Sequence, residues 1–185
     1  MISPNEFLNS WDKELFGLIR YEMDEIKDLN IPIDSKKFII EAGLPESAPP
    51  FLNFHTKTKG GMEKITQVFG ITNKLLSNYI FIGSTSTGDP ICIIEVTGEV
   101  IYLDRENDNS QVFINSSIPL FMESLLLYSQ LIEKTDEKNG EDAFFEGDIP
   151  EELIYWFQNS IGTIDSKALE ERNFWSDEVN LLNED

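Results

Sequence analysis

The sequence predicts an α+β fold with a central, largely antiparallel sheet and flanking helices. Hydrophobic residues make up 41% of the 185 residues, and 13 of them are Phe, which is enough apolar material for a folded core. Between residues 51 and 103 the apolar residues form short runs of strand length. On both sides of this region they recur at helical spacing. We find no internal repeat and no linker, so we expect one domain over residues 1–185.

Two helices are predicted before residue 50. Ser3-Pro4-Asn5-Glu6 has the form of a capping box with proline at the first helical position, which predicts a helix that opens the chain. A second helix is predicted from Asp34, whose carboxylate can accept free backbone N–H groups, to Gly43. Leu44-Pro45 then blocks its continuation.

Five strands are predicted in the middle of the chain, each rich in β-branched and aromatic residues and bounded by glycine or polar clusters. They cover residues 51–54, 65–69, 79–82, 91–96 and 100–103. Thr97-Gly98-Glu99 is a short connection that predicts an antiparallel hairpin between the last two strands. Residues 91–94 are apolar on both faces, which is typical of a covered, central strand.

The C-terminal part is predicted to be helical. Asn115-Ser116-Ser117 offers a cap for a long helix over residues 118–132, where steps of three and four between apolar residues predict a face that covers the sheet. A polar loop is expected over residues 134–147. Pro150 opens another helix, Asp165 is expected to cap a further one, and residues 174–182 are too apolar to be loose.

Charge excludes several classes of function. The chain has 14 basic and 34 acidic residues, a net charge of −20, so we expect no direct binding to nucleic acid or to an anionic membrane surface. The balance is −5 over residues 1–50, zero over 51–100 and −15 over 101–185. The first residues lack the pattern of a secretory signal, and a lone Cys92 cannot form an internal disulfide. We therefore expect a cytoplasmic protein.

Motifs that carry chemistry are weak. Gly83 and Gly88 have the separation of a phosphate-binding loop, but Asp89-Pro90 stands where a cation is required, so the segment predicts a turn between strands. His55 is the only histidine and is expected in a surface loop, whereas Cys92 is expected to pack in the core. A two-carboxylate hydrolase stays open as an alternative, since no pair of acids is singled out.

Carboxylates alternate over residues 104–108, but the glycine and the closing glutamate of a calcium loop are absent. This segment predicts a solvated turn between a strand and a helix. With one His and one Cys in the chain, a zinc site is not supported either. We expect no metal, nucleotide or redox cofactor and no catalytic residues.

An acidic segment with two aromatic residues is the best candidate for contact with a partner. Phe144 and Phe145 lie between Glu141, Asp142, Glu146 and Asp148. The rings either fold back onto the core or form an apolar anchor with an acidic rim, the composition expected where a basic protein docks. The turn with Asp104, Glu106 and Asp108 is a second candidate for this contact.

The order of several short motifs resembles the SUKH superfamily of bacterial immunity proteins, which share the yeast Smi/Knr-type fold. The motifs are Gly43-Leu44-Pro45, Phe81-Ile82-Gly83, Gly88-Asp89-Pro90-Ile91-Cys92-Ile93, Gly98-Glu99-Val100-Ile101-Tyr102 and Asn115-Ser116-Ser117-Ile118-Pro119-Leu120-Phe121. The closing Ile164-Asp165-Ser166-Lys167-Ala168-Leu169, followed by Phe174-Trp175, is similar to the fourth SUKH subgroup.

The resemblance implies a function. It predicts an α+β domain without enzymatic activity. The domain is expected to neutralise a cognate polymorphic toxin in the cytoplasm, commonly a nuclease or a deaminase. The large toxin gene is expected to lie beside the immunity gene. Such a toxin needs a basic cleft for its nucleic-acid substrate, and a chain of charge −20 complements that cleft. A monomer is the favoured state. The alternative is a scaffold or regulatory module on the same fold, as in the yeast relatives.

Overall fold

A computed structural model describes residues 1–54, 61–70 and 72–184 of the protein, so the prediction for His55 lies outside the described residues. The helices are α1 (Pro4–Ser10), α2 (Lys13–Phe16), α3 (Met23–Ile26), α4 (Ile33–Glu41), α5 (Ile65–Val68), α6 (Ile118–Asn139), α7 (Glu151–Ile164) and α8 (Phe174–Leu182). The strands are β1 (Ser47–Ala48), β2 (Leu52–Phe54), β3 (Tyr79–Ser84), β4 (Pro90–Ile94), β5 (Val100–Asp104) and β6 (Ser110–Asn115). Two 3₁₀ turns cover Lys74–Leu76 and Ser166–Leu169.

The six strands form one antiparallel sheet in chain order, from β1 to β6. Ile91, Cys92 and Ile93 of β4 are fully buried, which confirms the predicted central strand. Ser84 pairs with Asn53 on one side and with Pro90 on the other. This register places the β1–β2, β3–β4 and β5–β6 turns at one end of the sheet, here called the hairpin-turn end. The α+β class and the antiparallel sheet are confirmed.

Two predicted helix starts are confirmed by their caps. The Ser3 hydroxyl accepts from the amide of Glu6, and the amide of Ser3 donates to the Glu6 carboxylate at 2.9 Å. Ser117 caps α6 by accepting from the amide of Leu120. Phe121 of α6 is fully buried, and its ring centroid lies 5.9 Å from that of Phe54 in β2, so α6 packs on the sheet as predicted.

The strand predicted over residues 65–69 is wrong, because the chain forms the single helical turn α5 there. Its apolar residues Ile65, Val68 and Phe69 recur at steps of three and four, which suits a helix as well as a short strand. The amide of Lys64 donates to the Gln67 side chain at 3.1 Å and closes the turn. Ile65 is the one buried residue of this turn, and Gln67, which would share its face in a strand, is exposed.

The acidic turn over residues 104–108 joins β5 to β6, and the predicted connection from strand to helix is wrong. Strand β6 escaped prediction because its last residue, Asn115, is polar although fully buried. The loop predicted from residue 134 is also too long, since α6 continues to Asn139. The second predicted helix begins at Ile33, and Asp34 lies inside it rather than at its cap. Gly43 does end this helix, with a φ of +85°.

A buried polar junction joins β6, α6 and α8. The Asn115 side-chain oxygen Oδ1 accepts from the indole N–H of Trp175 at 2.9 Å, and its side-chain Nδ2 donates to the Ser124 hydroxyl at 3.2 Å. Asp165 does not cap the following turn as predicted, because its carboxylate accepts from the amide of Ser116 at 2.6 Å and from the Ser116 hydroxyl at 3.1 Å. Three segments that carry the family resemblance therefore meet at this junction: residues 115–121, residues 164–169 and Phe174-Trp175.

Candidate functional site

The structure separates the two adjacent phenylalanines of the acidic segment. Phe144 is half-buried, with its ring centroid 5.8 Å from that of Tyr128 and its amide donating to the Asp136 carboxylate at 3.0 Å. Phe145 is 65% exposed and touches Phe144 edge to face. The two interpretations of this segment therefore apply to different rings: Phe144 packs on the core, and Phe145 faces solvent.

Phe145 lies on the wall of an apolar groove of about 610 Å³, which we call the phenylalanine groove. Two further exposed apolar side chains line it, Leu15 at 69% and Phe51 at 70% exposure. The lining consists of Leu15 and Phe16 of α2, residues 47–53 of the β1–β2 hairpin, Tyr128, Ile132 and Asp136 of α6, and Phe144 and Phe145. The groove thus joins the first 53 residues of the chain to its acidic C-terminal part.

Two non-glycine residues have a left-handed backbone in segments that line this groove. Phe51 has a φ of +56°, and Asp142, in the loop that carries Phe144, has a φ of +67°. Bulky side chains rarely adopt this conformation, which costs of the order of 1–3 kcal/mol per residue and persists only where the surrounding structure enforces it. The fold thus holds Phe51 in an unfavourable conformation that leaves its ring exposed.

One carboxylate lines the phenylalanine groove, and four more lie in the loop that carries Phe144 and Phe145. Asp136 lies in its wall, and Glu141, Asp142, Glu146 and Asp148 are all exposed in the adjoining loop. The two lysines of α6 in this region are engaged with α7 instead. Lys138 forms an ion pair with Glu152, and the ammonium group of Lys134 lies 5.5 Å from the centre of the Trp156 ring. These two lysines therefore do not neutralise the negative charge of the loop acids.

The second predicted acidic segment lies at the hairpin-turn end, where the β1–β2 turn with Phe51 also lies. One Asp104 oxygen accepts from the amides of Glu106 and Asn107, so this carboxylate orders its own turn. Glu106 and Asp108 are exposed. The carboxylates of this turn therefore have different roles: Asp104 orders the turn, whereas the side chains of Glu106 and Asp108 face solvent.

Helix α8 contacts both regions and adds to the acidic field. The ring of Phe174 packs edge to face on Tyr102, next to Asp104. Burial and the charges of Asp104 and Asp177 raise the pKa of Tyr102 to about 12. At its other end α8 contributes Leu181 and Leu182 to a small cleft beside residues 144–147.

Glu178 of α8 is a half-buried carboxyl group that sequence reasoning missed. Burial raises its pKa to about 7, and the charge of Asp177 acts in the same direction. The Tyr128 hydroxyl donates to it at 3.4 Å, which opposes part of the shift. Because Tyr128 also lines the phenylalanine groove, Glu178 is one hydrogen bond away from that groove.

Other residues considered from the sequence have structural roles. Cys92 is fully buried, and burial raises the pKa of its thiol, as predicted for a core residue. Gly83 and Ser84 end β3 and residues 85–88 form the turn to β4, so the predicted turn between strands is confirmed. In that turn burial acts to raise the pKa of Asp89, but hydrogen bonds from Thr87 and Arg105 lower it overall. Within residues 1–54, 61–70 and 72–184, no group of three or more His, Cys, Asp or Glu is arranged to hold a metal ion.

Helix length and hydropathy bear on membrane insertion. Among the helices of the described part of the chain, none combines the length and the apolar character that crossing a bilayer requires.

The chain matches a known protein family over most of its length. The model of the family described as SUKH-4 immunity protein matches residues 7–184. The chain matches no curated protein and no solved structure.

Proposed function

The chain belongs to the SUKH-4 immunity protein family, and from this we propose that it binds and neutralises a cognate polymorphic toxin in the cytoplasm, without catalysing a reaction itself. We further propose that the toxin domain is a nuclease or a deaminase with a basic surface. The contact residues proposed from the sequence remain the starting point: Asp104, Glu106, Asp108, Glu141, Asp142, Phe144, Phe145, Glu146 and Asp148.

The uneven distribution of charge is the observation that carries this proposal. Residues 101–185 have a balance of −15, whereas residues 51–100 are neutral. The loop beside the phenylalanine groove exposes Glu141, Asp142, Glu146 and Asp148. An enzyme that acts on nucleic acid must bind a polyanion, so its active-site cleft is positively charged. A protein with a concentrated acidic surface can occupy that cleft and is steered towards it by long-range attraction.

Surface plasmon resonance against a catalytically inactive toxin domain from the neighbouring gene tests the proposal. The test variant carries Glu141→Gln, Asp142→Asn, Glu146→Gln and Asp148→Asn. Asparagine tolerates the left-handed backbone of residue 142, so the loop conformation is retained. We expect slower association and a shallower dependence of the association rate on salt than for the wild-type protein, because exposed rim charges act mainly on the encounter.

A matched control removes the same number of charges elsewhere. Asp24→Asn, Asp28→Asn, Asp34→Asn and Glu41→Gln are exposed positions on α3, α4 and the loop between them. If both variants slow association equally, net charge alone steers binding and the proposed site is wrong. If the wild-type protein neither binds this toxin domain nor inhibits its activity, the immunity proposal fails, and the scaffold alternative takes its place.

A further inference from the structure

We propose that the phenylalanine groove receives an apolar side chain that protrudes from a basic segment of the toxin, and that Phe51 and Phe145 are the rings that anchor it. This proposal rests on the proposed function and adds the position of the contact and the chemistry of its occupant. It extends the contact surface from the acidic C-terminal loop to the β1–β2 turn and to α2, which sequence reasoning did not include.

Three exposed apolar side chains line the same groove. Leu15, Phe51 and Phe145 come from three distant parts of the chain, and each exposes about two thirds or more of its surface. Single exposed apolar residues are common, but a group of them around one concave site is typical of an interaction surface. Phe145 is backed by Phe144, which is itself packed on Tyr128, so the ring has a supported position against the core.

The backbone of Phe51 supports the same conclusion. A glycine at residue 51 would adopt the φ of +56° without strain. The residue is instead a phenylalanine that is 70% exposed and therefore packs little against the core. Strained residues that persist in a fold occur preferentially at binding sites. Val96 is equally exposed with a φ of +74°, so the position of Phe51 in the same groove wall as Leu15 and Phe145 is what indicates contact with a partner.

Charge identifies the occupant. Asp136 lies in the groove wall, and Glu141, Asp142, Glu146 and Asp148 are exposed in the loop that carries Phe144 and Phe145 of the same wall. A second copy of this chain would bring a net charge of −20 and its own acidic loop to the same place, which disfavours self-association. An apolar side chain flanked by Lys or Arg matches both the apolar floor and the acidic rim.

The two parts of the site are expected to act on different rate constants. A ring buried at the centre of an interface contributes most of the binding free energy, and the surrounding polar residues exclude water and steer the encounter. Loss of an anchoring ring therefore increases the dissociation rate, while the association rate changes little.

The variant Phe51→Gly separates binding from folding. It removes the ring and relieves the left-handed strain, so we expect a melting temperature equal to or above that of the wild-type protein, since the chain entropy of glycine offsets part of the relief. We expect its complex with the inactive toxin domain to dissociate about 30-fold faster, the effect of losing a residue worth roughly 2 kcal/mol. Phe145→Ala, at a position without backbone strain, should have an effect of the same size and provides a second test if Phe51→Gly unfolds.

Val96→Gly is the matched control. Val96 is 71% exposed and has a φ of +74°, but it lies in the β4–β5 turn, at the opposite end of the sheet from Phe51. Its replacement should leave both rate constants unchanged. If the toxin domain binds and Phe51→Gly and Phe145→Ala behave like Val96→Gly, the groove proposal is overturned while the proposed function stands. If the wild-type protein does not bind the toxin domain, both proposals fall together.

A peptide probe tests the chemistry of the occupant without the toxin. In NMR titrations we expect the peptide Lys-Lys-Trp-Lys-Lys to shift the signals of Leu15, Phe51 and Phe145, and we expect no such shifts from Glu-Glu-Trp-Glu-Glu or Lys-Lys-Ala-Lys-Lys. Equal shifts from both tryptophan peptides would show a groove that selects apolar groups without regard to charge. Shifts confined to other surfaces would place the apolar contact elsewhere. Either result contradicts the proposed occupant.

Discussion

At the scale of single residues, Glu178 is a carboxyl group in an environment that favours its neutral form. Burial raises its pKa from about 4.5 to about 7, and the hydrogen bond from Tyr128 only partly offsets this. An acid whose pKa is higher in the folded protein favours folding while it is protonated. This stabilisation is fully present below the unfolded pKa, near 4.5, and is lost as the pH rises through about 7.

The variant Glu178→Gln should therefore be more stable than the wild-type protein at pH 8. Glutamine resembles the neutral carboxylic acid, so the difference in unfolding free energy should be of the order of 2 kcal/mol at pH 8 and should shrink towards zero near pH 4.5. Urea denaturation at a series of pH values measures it. Glu137→Gln, at an exposed position of α6, is the control and should show no comparable trend. A difference that does not depend on pH would mean that Glu178 does not titrate in this range.

Neither Glu178 nor Phe51 could have been identified from the sequence. Glu178 is one of 34 acids, and its burial depends on the packing of α8 against Tyr128. Phe51 stands at the start of an apolar run, which predicts a buried strand residue. Its exposure follows from the left-handed backbone after Pro50, a property of the turn as a whole. The burial of Cys92, in contrast, follows directly from the apolar strand around it.

At the scale of elements, the junction around Asn115 holds β6, α6 and α8 together. Asn115 and Trp175 are fully buried, and each satisfies a polar group of the other. A buried donor or acceptor without a partner costs about 1–3 kcal/mol, so removal of either side chain leaves a penalty on its neighbour. The positions of α8 and of its acids depend on this contact.

A double-mutant cycle with Asn115→Ala and Trp175→Phe tests the junction. Phenylalanine keeps an aromatic ring in the core but removes the indole N–H. We expect each single variant to be destabilised, and the double variant to be more stable than the sum predicts by about 0.5–3 kcal/mol, because the second change removes a group already left unpaired. Chemical denaturation of the four proteins gives the coupling energy. Additive effects would show that the hydrogen bond does not couple the two elements.

Local signals predicted those elements that end in clear caps. Ser3 with Glu6, Ser117 and Gly43 marked three helix ends correctly, since each cap needs only residues within a few positions. Strand β6 was missed because its last residue, Asn115, looks like a helix cap until its distant partner is known, and Asp165 was assigned to a cap for the same reason. Residues 65–69 were assigned to a strand because five residues are too few to separate the two periods. Long-range contacts decided these cases.

At the scale of the whole molecule, the candidate site is assembled from both ends of the chain. The antiparallel register brings the β1–β2 turn and the acidic β5–β6 turn to the hairpin-turn end, and α6 with its following loop completes the phenylalanine groove. The acidic rim could be predicted, because charge is visible in the sequence. The apolar floor could not, since Leu15, Phe51 and Phe145 meet only through the tertiary fold.

Hydrogen exchange of the complex with the inactive toxin domain tests the central claim most directly, namely that this face of the molecule binds the toxin. We expect slower amide exchange in three segments when the toxin is bound: residues 12–16, 46–53 and 140–148. Residues 95–98 and the N-terminal part of α4, at the opposite end of the sheet, should exchange as in the free protein. Protection confined to these latter segments, with the groove segments unchanged, would contradict the account.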